Sequence, residues 1–152
     1  MLQYSRGLRI TKRGTSVDLL VLLAADYANV EKSGKLNVMG IFSQIYASKF
    51  PVRHPEMHVI VSLSASPAEY NTTRKLTVKL MDEDGKQEIL SWSRDIRVPA
   101  GSGMRRLEVN QILRLRDVVF PEPGSYQFSV LVDNDEKGTL PIFLVQREPT
   151  GT

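Results

Sequence analysis

The 152-residue chain has no cysteine, only two histidines and a single tryptophan. Without Cys there is no disulfide framework, no thiolate zinc site, no iron–sulfur cluster and no thiol nucleophile. A chain of this length buries roughly two thirds of the surface its unfolded form exposes, so one domain is expected to fold without such staples. The lack of Cys also fits a reducing compartment, and the expected location is the cytoplasm. Long apolar runs are missing too. No stretch approaches the roughly 18 residues that cross a bilayer as a helix, so no membrane span is expected.

Charge of one sign is scarce except at one place. The net charge is only +3, yet residues 1–16 carry Arg6, Arg9, Lys12 and Arg13 with no acid. The remainder holds sixteen basic against seventeen acidic residues and is close to neutral. Residues 1–15 therefore read as a flexible basic arm, with Arg6, Arg9, Lys12 and Arg13 as the candidate site for an acidic partner. Arg105 and Arg106 are candidates to assist. Association with nucleic acid through this arm is the weaker reading, because Tyr4 is its one aromatic and no recognition helix follows.

A basic leader before VDLLVLLAA (residues 17–25) has the outline of a secretory signal peptide. Asp18 at the edge of the apolar block, Asp26 just after it and the missing A-x-A pattern argue otherwise. The block reads as the first core strand, retained in the mature chain.

The catalytic inventory is thin. His54 and His58 fall in HPEMH, and four residues of strand span about 13 Å, too far for both rings to reach one metal ion. Both are expected exposed at a strand start. There is no G-x-S-x-G, no phosphate-binding glycine loop and no H-E-x-x-H. The expectation is a protein that is not an enzyme and holds no cofactor or metal.

What the sequence does have is a period of two. Met57, Val59, Val61 and Leu63 alternate with polar or small residues. So do Leu76, Val78 and Leu80; Leu90, Trp92, Ile96 and Val98; Leu107, Val109, Leu113 and Leu115; and Tyr126, Phe128, Val130 and Val132. Each set reads as a strand with one face on a core. Residues 17–25, 36–46 and 140–145 are apolar on both faces and read as central or covered strands, with Pro141 arguing for an edge. Turn-forming clusters separate these segments, Asp84-Gly85 carrying a type I′ hairpin signal. The predicted fold is all-β: a single antiparallel two-sheet β-sandwich of about seven to nine strands over residues 16–147, with a short tail at 148–152.

Ala25-Asp26-Tyr27-Ala28, Gly34-Lys35-Leu36-Asn37-Val38-Met39-Gly40-Ile41-Phe42 and Phe50-Pro51 resemble the opening of a family of uncharacterised bacterial mostly-β proteins. Leu80-Met81-Asp82-Glu83-Asp84-Gly85 and Pro123-Gly124-x-Tyr126-x-Phe128 match it as well, over about residues 18–145. The resemblance implies a compact β domain and brings no catalytic or ligand residues.

The expected function is a non-catalytic protein–protein interaction or assembly module, acting with a protein partner or as a homo-oligomer. The alternative is a ligand-binding sandwich for a glycan or Ca²⁺, using the acidic loops around 82–86 and 133–138.

Overall fold

The alternating segments become strands in the structure, a computed structural model that describes residues 7–149. In chain order these are β1 (Arg9–Ile10), β2 (Val17–Val30), β3 (Leu36–Ile41), β4 (Gln44–Ala47), β5 (Val52–Ala65), β6 (Thr73–Asp82), β7 (Glu88–Arg97), β8 (Leu107–Phe120), β9 (Gly124–Val132) and β10 (Asp135–Gln146). One 3-10 turn, Pro67–Glu69, links β5 to β6. Two strands are very short, leaving eight of six residues or more, in line with the number predicted.

The strands form two sheets. One runs β1-β10-β9-β6-β7, with β4 also on β10; the other runs β3-β2-β5-β8. Every pairing is antiparallel except β4 with β10. The fold is a two-sheet antiparallel β-sandwich. Its core lies between the sheets and is built from the predicted alternating sets: Met57, Val59, Val61 and Leu63 face Leu76, Val78, Leu80, Phe128 and Val130. Each such side chain contributes about 1.5–3 kcal/mol on burial. Trp92, Tyr126 and Phe128 belong to this packing, as their period predicted.

VDLLVLLAA is the first long strand. Val17, Leu19, Leu22 and Ala24 enter the core, and a register shift between Leu19 and Val21 brings Leu22 inward. β2 runs between β3 and β5, and its other face, with Leu23 and Ala25, packs in a second, smaller apolar cluster.

The structure corrects several expectations. Residues 36–46 are not one strand. The chain leaves the four-stranded sheet after Ile41 and enters the other as β4, with the Phe42 N–H bonded to the Ala24 carbonyl at 3.0 Å. Just before the switch Gly40 has φ +70, and a Cβ there would strike the Asp26 carboxylate. Only glycine meets both demands.

The two hairpin turns also exchange characters. At Asp82–Gly85 only Gly85 has positive φ, Gly85 N–H bonds to the Asp82 carbonyl, and the register slips between Leu80 and Met81. This is a type I turn closed by a glycine bulge, not type I′. The positive-φ pair is Asp133 (φ 49) and Asn134 (φ 67), a two-residue turn, so β10 begins at Asp135 where a longer loop was predicted.

Pro141 does not mark an edge strand. β10 has β9 on one side and, on the other, β1 at Thr139 and β4 from Phe143 onward. Phe143 N–H donates to Ser43 on that second side, so the nitrogen of Pro141 faces the gap between β1 and β4. There no donor is required.

Candidate interaction surface

The basic segment is not loose where it is described. Arg9 and Ile10 pair with Thr139 and Gly138, Thr11 N–H donates to the Lys137 carbonyl at 3.0 Å, and Leu8 packs on the core. Lys12 Nζ lies 2.6 Å from Asp135 Oδ1. Hydrogen bonds from Lys12 and Lys137 hold the Asp135 carboxyl below its usual range. Arg9 and Arg13 stay exposed, whereas Arg6 lies outside the described residues. Arg106 is drawn into structure: it donates to Ser64 Oγ at 2.7 Å and to the Thr15 and Ser64 carbonyls, and approaches Asp18 at 3.5 Å. Burial would raise the Asp18 carboxyl, but hydrogen bonds from Thr15 and Gly14 bring it below the usual value. Of the arm residues that are described, Lys12 alone has an ion-pair partner.

The two acidic loops do not converge. β6 and β9 pair with Leu76 opposite Val132 and Asp82 opposite Tyr126, so the 82–86 turn and the 133–134 turn sit at opposite ends of the sheet. A shared Ca²⁺ or glycan site formed by both is excluded by that register. One carboxylate in each turn is also occupied. Asp82 Oδ1 accepts from Lys86 N and Gln87 N, and Asp133 accepts from Lys75 N and Arg74.

The histidines are not exposed, contrary to expectation. Both lie on β5, but His58 is buried, its Nδ1 3.2 Å from the Asp26 carbonyl and its ring edge-on to Tyr27. His54 is half-buried against Phe42, with its Nε2 unpartnered. Burial pushes the His54 imidazole down, opposed by the Asp26 carboxylate. Between them Glu56 bonds to Arg114 rather than to either ring, and Arg116 lies 3.6 Å away. That ion pair holds the Glu56 carboxyl low.

The arrangement that stands out is one the sequence reading missed. Side chains of β2, β5 and β8 that point away from the core form a second apolar cluster. Registers place Leu23 beside Ile60 and Ile60 beside Ile112. Ala25 and Ile60 are fully buried there, with half-buried Leu23, Leu36, Val38, Ile41 and Ile112 packed against them. Exposed Tyr27 and Met39 face each other across β2 and β3 at the same end. Successive rows along the face are Asp18-Ser64-Glu108, Val21-Ser62-Asn110, Leu23-Ile60-Ile112 and Ala25-His58-Arg114, with Glu56-Arg116 beyond. The signal was present in VDLLVLLAA, whose second apolar face is this surface.

A two-sheet antiparallel sandwich with a second, smaller apolar cluster outside its inter-sheet core is the class of domain that the geometry defines. The chain belongs to a family of unknown function (DUF6941), whose model matches residues 20–145. No curated protein matches it in sequence. Among solved structures it is similar to the Pseudomonas fluorescens alkylpurine DNA glycosylase AlkC bound to DNA containing an abasic site analog. The identity is 12%, the TM-score 0.50 and the coverage 86% of this chain, which spans only 31% of that one. It is also similar to the C-terminal domain of Wzt, at 7% identity and TM-score 0.50, over 99% of this chain and 88% of that one. Identities this low speak to fold alone.

Proposed function

We propose that the domain is a non-catalytic protein-interaction module whose working surface is the outer face of the four-stranded sheet. One observation carries this reading: a second apolar cluster lies outside the inter-sheet core, with half-buried Leu23 and Ile112 around buried Ala25 and Ile60 and with exposed Tyr27 and Met39 beside it. Apolar patches rimmed by charge are the usual mark of a protein-binding face. Here the rim is Asp18, Arg106 and Glu108 at one end and Glu56, Arg114 and Arg116 at the other. The thin catalytic inventory supports the same reading, and the lack of cysteine fits a cytoplasmic setting. Among the described residues no helix is long and apolar enough to cross a membrane.

Carboxyl-directed crosslinking in the native host, followed by mass spectrometry, tests the assignment. Crosslinks to another polypeptide should concentrate at Asp18, Glu56 and Glu108. Crosslinks concentrated at Glu83 and Glu88 of the other sheet, or none to any polypeptide, would rule the face out.

A further inference from the structure

We propose that the free edge of β8 pairs with the same edge of a second copy, antiparallel and about a two-fold axis at Ile112. The two four-stranded sheets then join into one continuous sheet, with both outer faces on the same side. The inference rests on the interaction-module reading and makes that module bivalent. Three observations point to it.

The first is the edge itself. β8 pairs with β5 on one side and ends its sheet on the other. Among the described residues, no hydrogen bond joins the main chain of β8 to any element but β5. Alternate N–H and C=O groups along this 14-residue strand are thus left without a ladder, the state that recruits a further strand. Natural edges are usually kept short, yet this is one of the longest strands in the fold. Asp117, at φ 54, interrupts the extended backbone and bounds the regular part at 107–117. Its midpoint is Ile112.

The second is charge order along that edge. Glu108, Asn110, Ile112, Arg114 and Arg116 alternate onto the outer side of β8. Antiparallel pairing about Ile112 sets Glu108 beside the second copy's Arg116 and Asn110 beside its Arg114, each contact occurring twice. Only registers that oppose a residue to itself close under a two-fold and keep the side-chain faces matched. With the axis at Gln111 the overlap shortens to 107–115 and Arg116 meets Arg106. At Leu113 no acid is left opposite a base, and at Arg114 that residue opposes itself. Opposite charges across a ladder stabilise it and like charges oppose it, so the charge order selects one register. Glu108 and Arg116 are both exposed, and Glu108 has no ion-pair partner among the described residues. The contact therefore uncovers no buried group.

The third is size. This register joins about eleven residues of each copy, a contact about 37 Å long. With a depth of about 12 Å, one sheet layer and its side chains, the two copies bury on the order of 900 Å². That is the class of small, reversible interfaces. In strand addition the main chain supplies the affinity, here about ten new hydrogen bonds. Because the axis stands perpendicular to the sheet, the two outer clusters face the same way. A partner with two matching sites would engage both at once.

Sedimentation equilibrium of the full chain, with circular dichroism to verify that each variant folds, decides the matter. Wild type should dimerise at sub-millimolar concentration. Glu108→Arg and Arg116→Glu should each weaken self-association about tenfold or more, because each sets like charges together twice. Mixed in equal amounts, the two variants should associate within about threefold of wild type, since the mixed pair restores opposite charges at both contacts. The chain has no cysteine, so Ile112→Cys supplies a single thiol that meets its own copy at the axis. A short bis-maleimide should link that variant into a covalent dimer and leave Tyr27→Cys, exposed on β2, monomeric. A monomer at every concentration, single variants without effect, a mixture no tighter than its components, or Tyr27→Cys linked as readily as Ile112→Cys would overturn the proposal. If the chain stays monomeric while crosslinks in the host still join Asp18 and Glu56 to a different polypeptide, self-pairing is refuted and the interaction-module reading survives. A β8-paired dimer without such crosslinks would remove the outer face as a partner site and leave the edge assignment standing.

Discussion

His54 shows how a single residue acquires its properties from packing. Its ring meets Phe42, its Nε2 has no partner, and burial holds the imidazole below its ordinary value. A base whose folded pKa is depressed contributes stability above the unfolded value near 6.5 and loses it as pH falls toward the folded one. Thermal unfolding followed from pH 7 to pH 5 should therefore show a falling midpoint, and His54→Leu should flatten most of that slope. An unchanged slope would place the protonation elsewhere. Glu69 makes a comparable case among carboxylates. It is almost fully buried, receives Arg74 Nε at 2.6 Å and Nη2 at 2.9 Å, and is held below the usual range chiefly by that guanidinium. Arg74 also reaches Asp133, tying the 3-10 turn to the β9–β10 turn. Arg74→Met should cost about 2 kcal/mol in urea denaturation, because it strands a buried carboxylate. The pair's contribution is present above the ordinary Glu value of 4.5 and is lost as pH falls below it.

At the scale of elements, the short strands decide where the long ones end. β1 lies against Gly138, where a Cβ would sit 2.8 Å from the Arg9 carbonyl oxygen. Gly138→Ala should push β1 off β10, and amide hydrogen exchange at Thr11 should accelerate about tenfold or more. Protection at Thr11 equal to wild type would show that β1 adjusts without detaching. The long strands were legible in the sequence because alternation reports which face meets the core. Met57, Val59, Val61 and Leu63 are all fully buried as that pattern required. The break of 36–46 into β3 and β4 was not legible. It depends on Gly40 meeting Asp26 from another strand, and local composition carries no sign of that contact. The docking of Arg9 to Lys12 was hidden for the same reason. Its partners, Lys137, Gly138 and Asp135, lie more than 120 residues away.

For the whole molecule, the register of β6 and β9 separates the acidic turns by the length of a sheet. Since the two turns cannot converge on one ion and no group of three or more potential ligands stands together among the described residues, millimolar Ca²⁺ should leave the melting temperature unchanged. A rise of several degrees would show a site that this topology does not explain. The same topology gives the sandwich two unlike outer faces. Strands β2, β5 and β8 set Leu23, Ile60 and Ile112 in one row, while the outward positions on β6 and β7 include Thr77, Lys79, Ser91 and Ser93. By itself the sequence determined that this chain is all-β, which residues form its core and that VDLLVLLAA is a strand, because these follow from side-chain alternation along one segment. Only the tertiary structure decided which strands are neighbours. Neighbourhood in a sheet is set by hydrogen bonding between residues far apart in the chain, and it alone assembles the outer apolar row, parts the acidic turns and fastens the basic segment to β10.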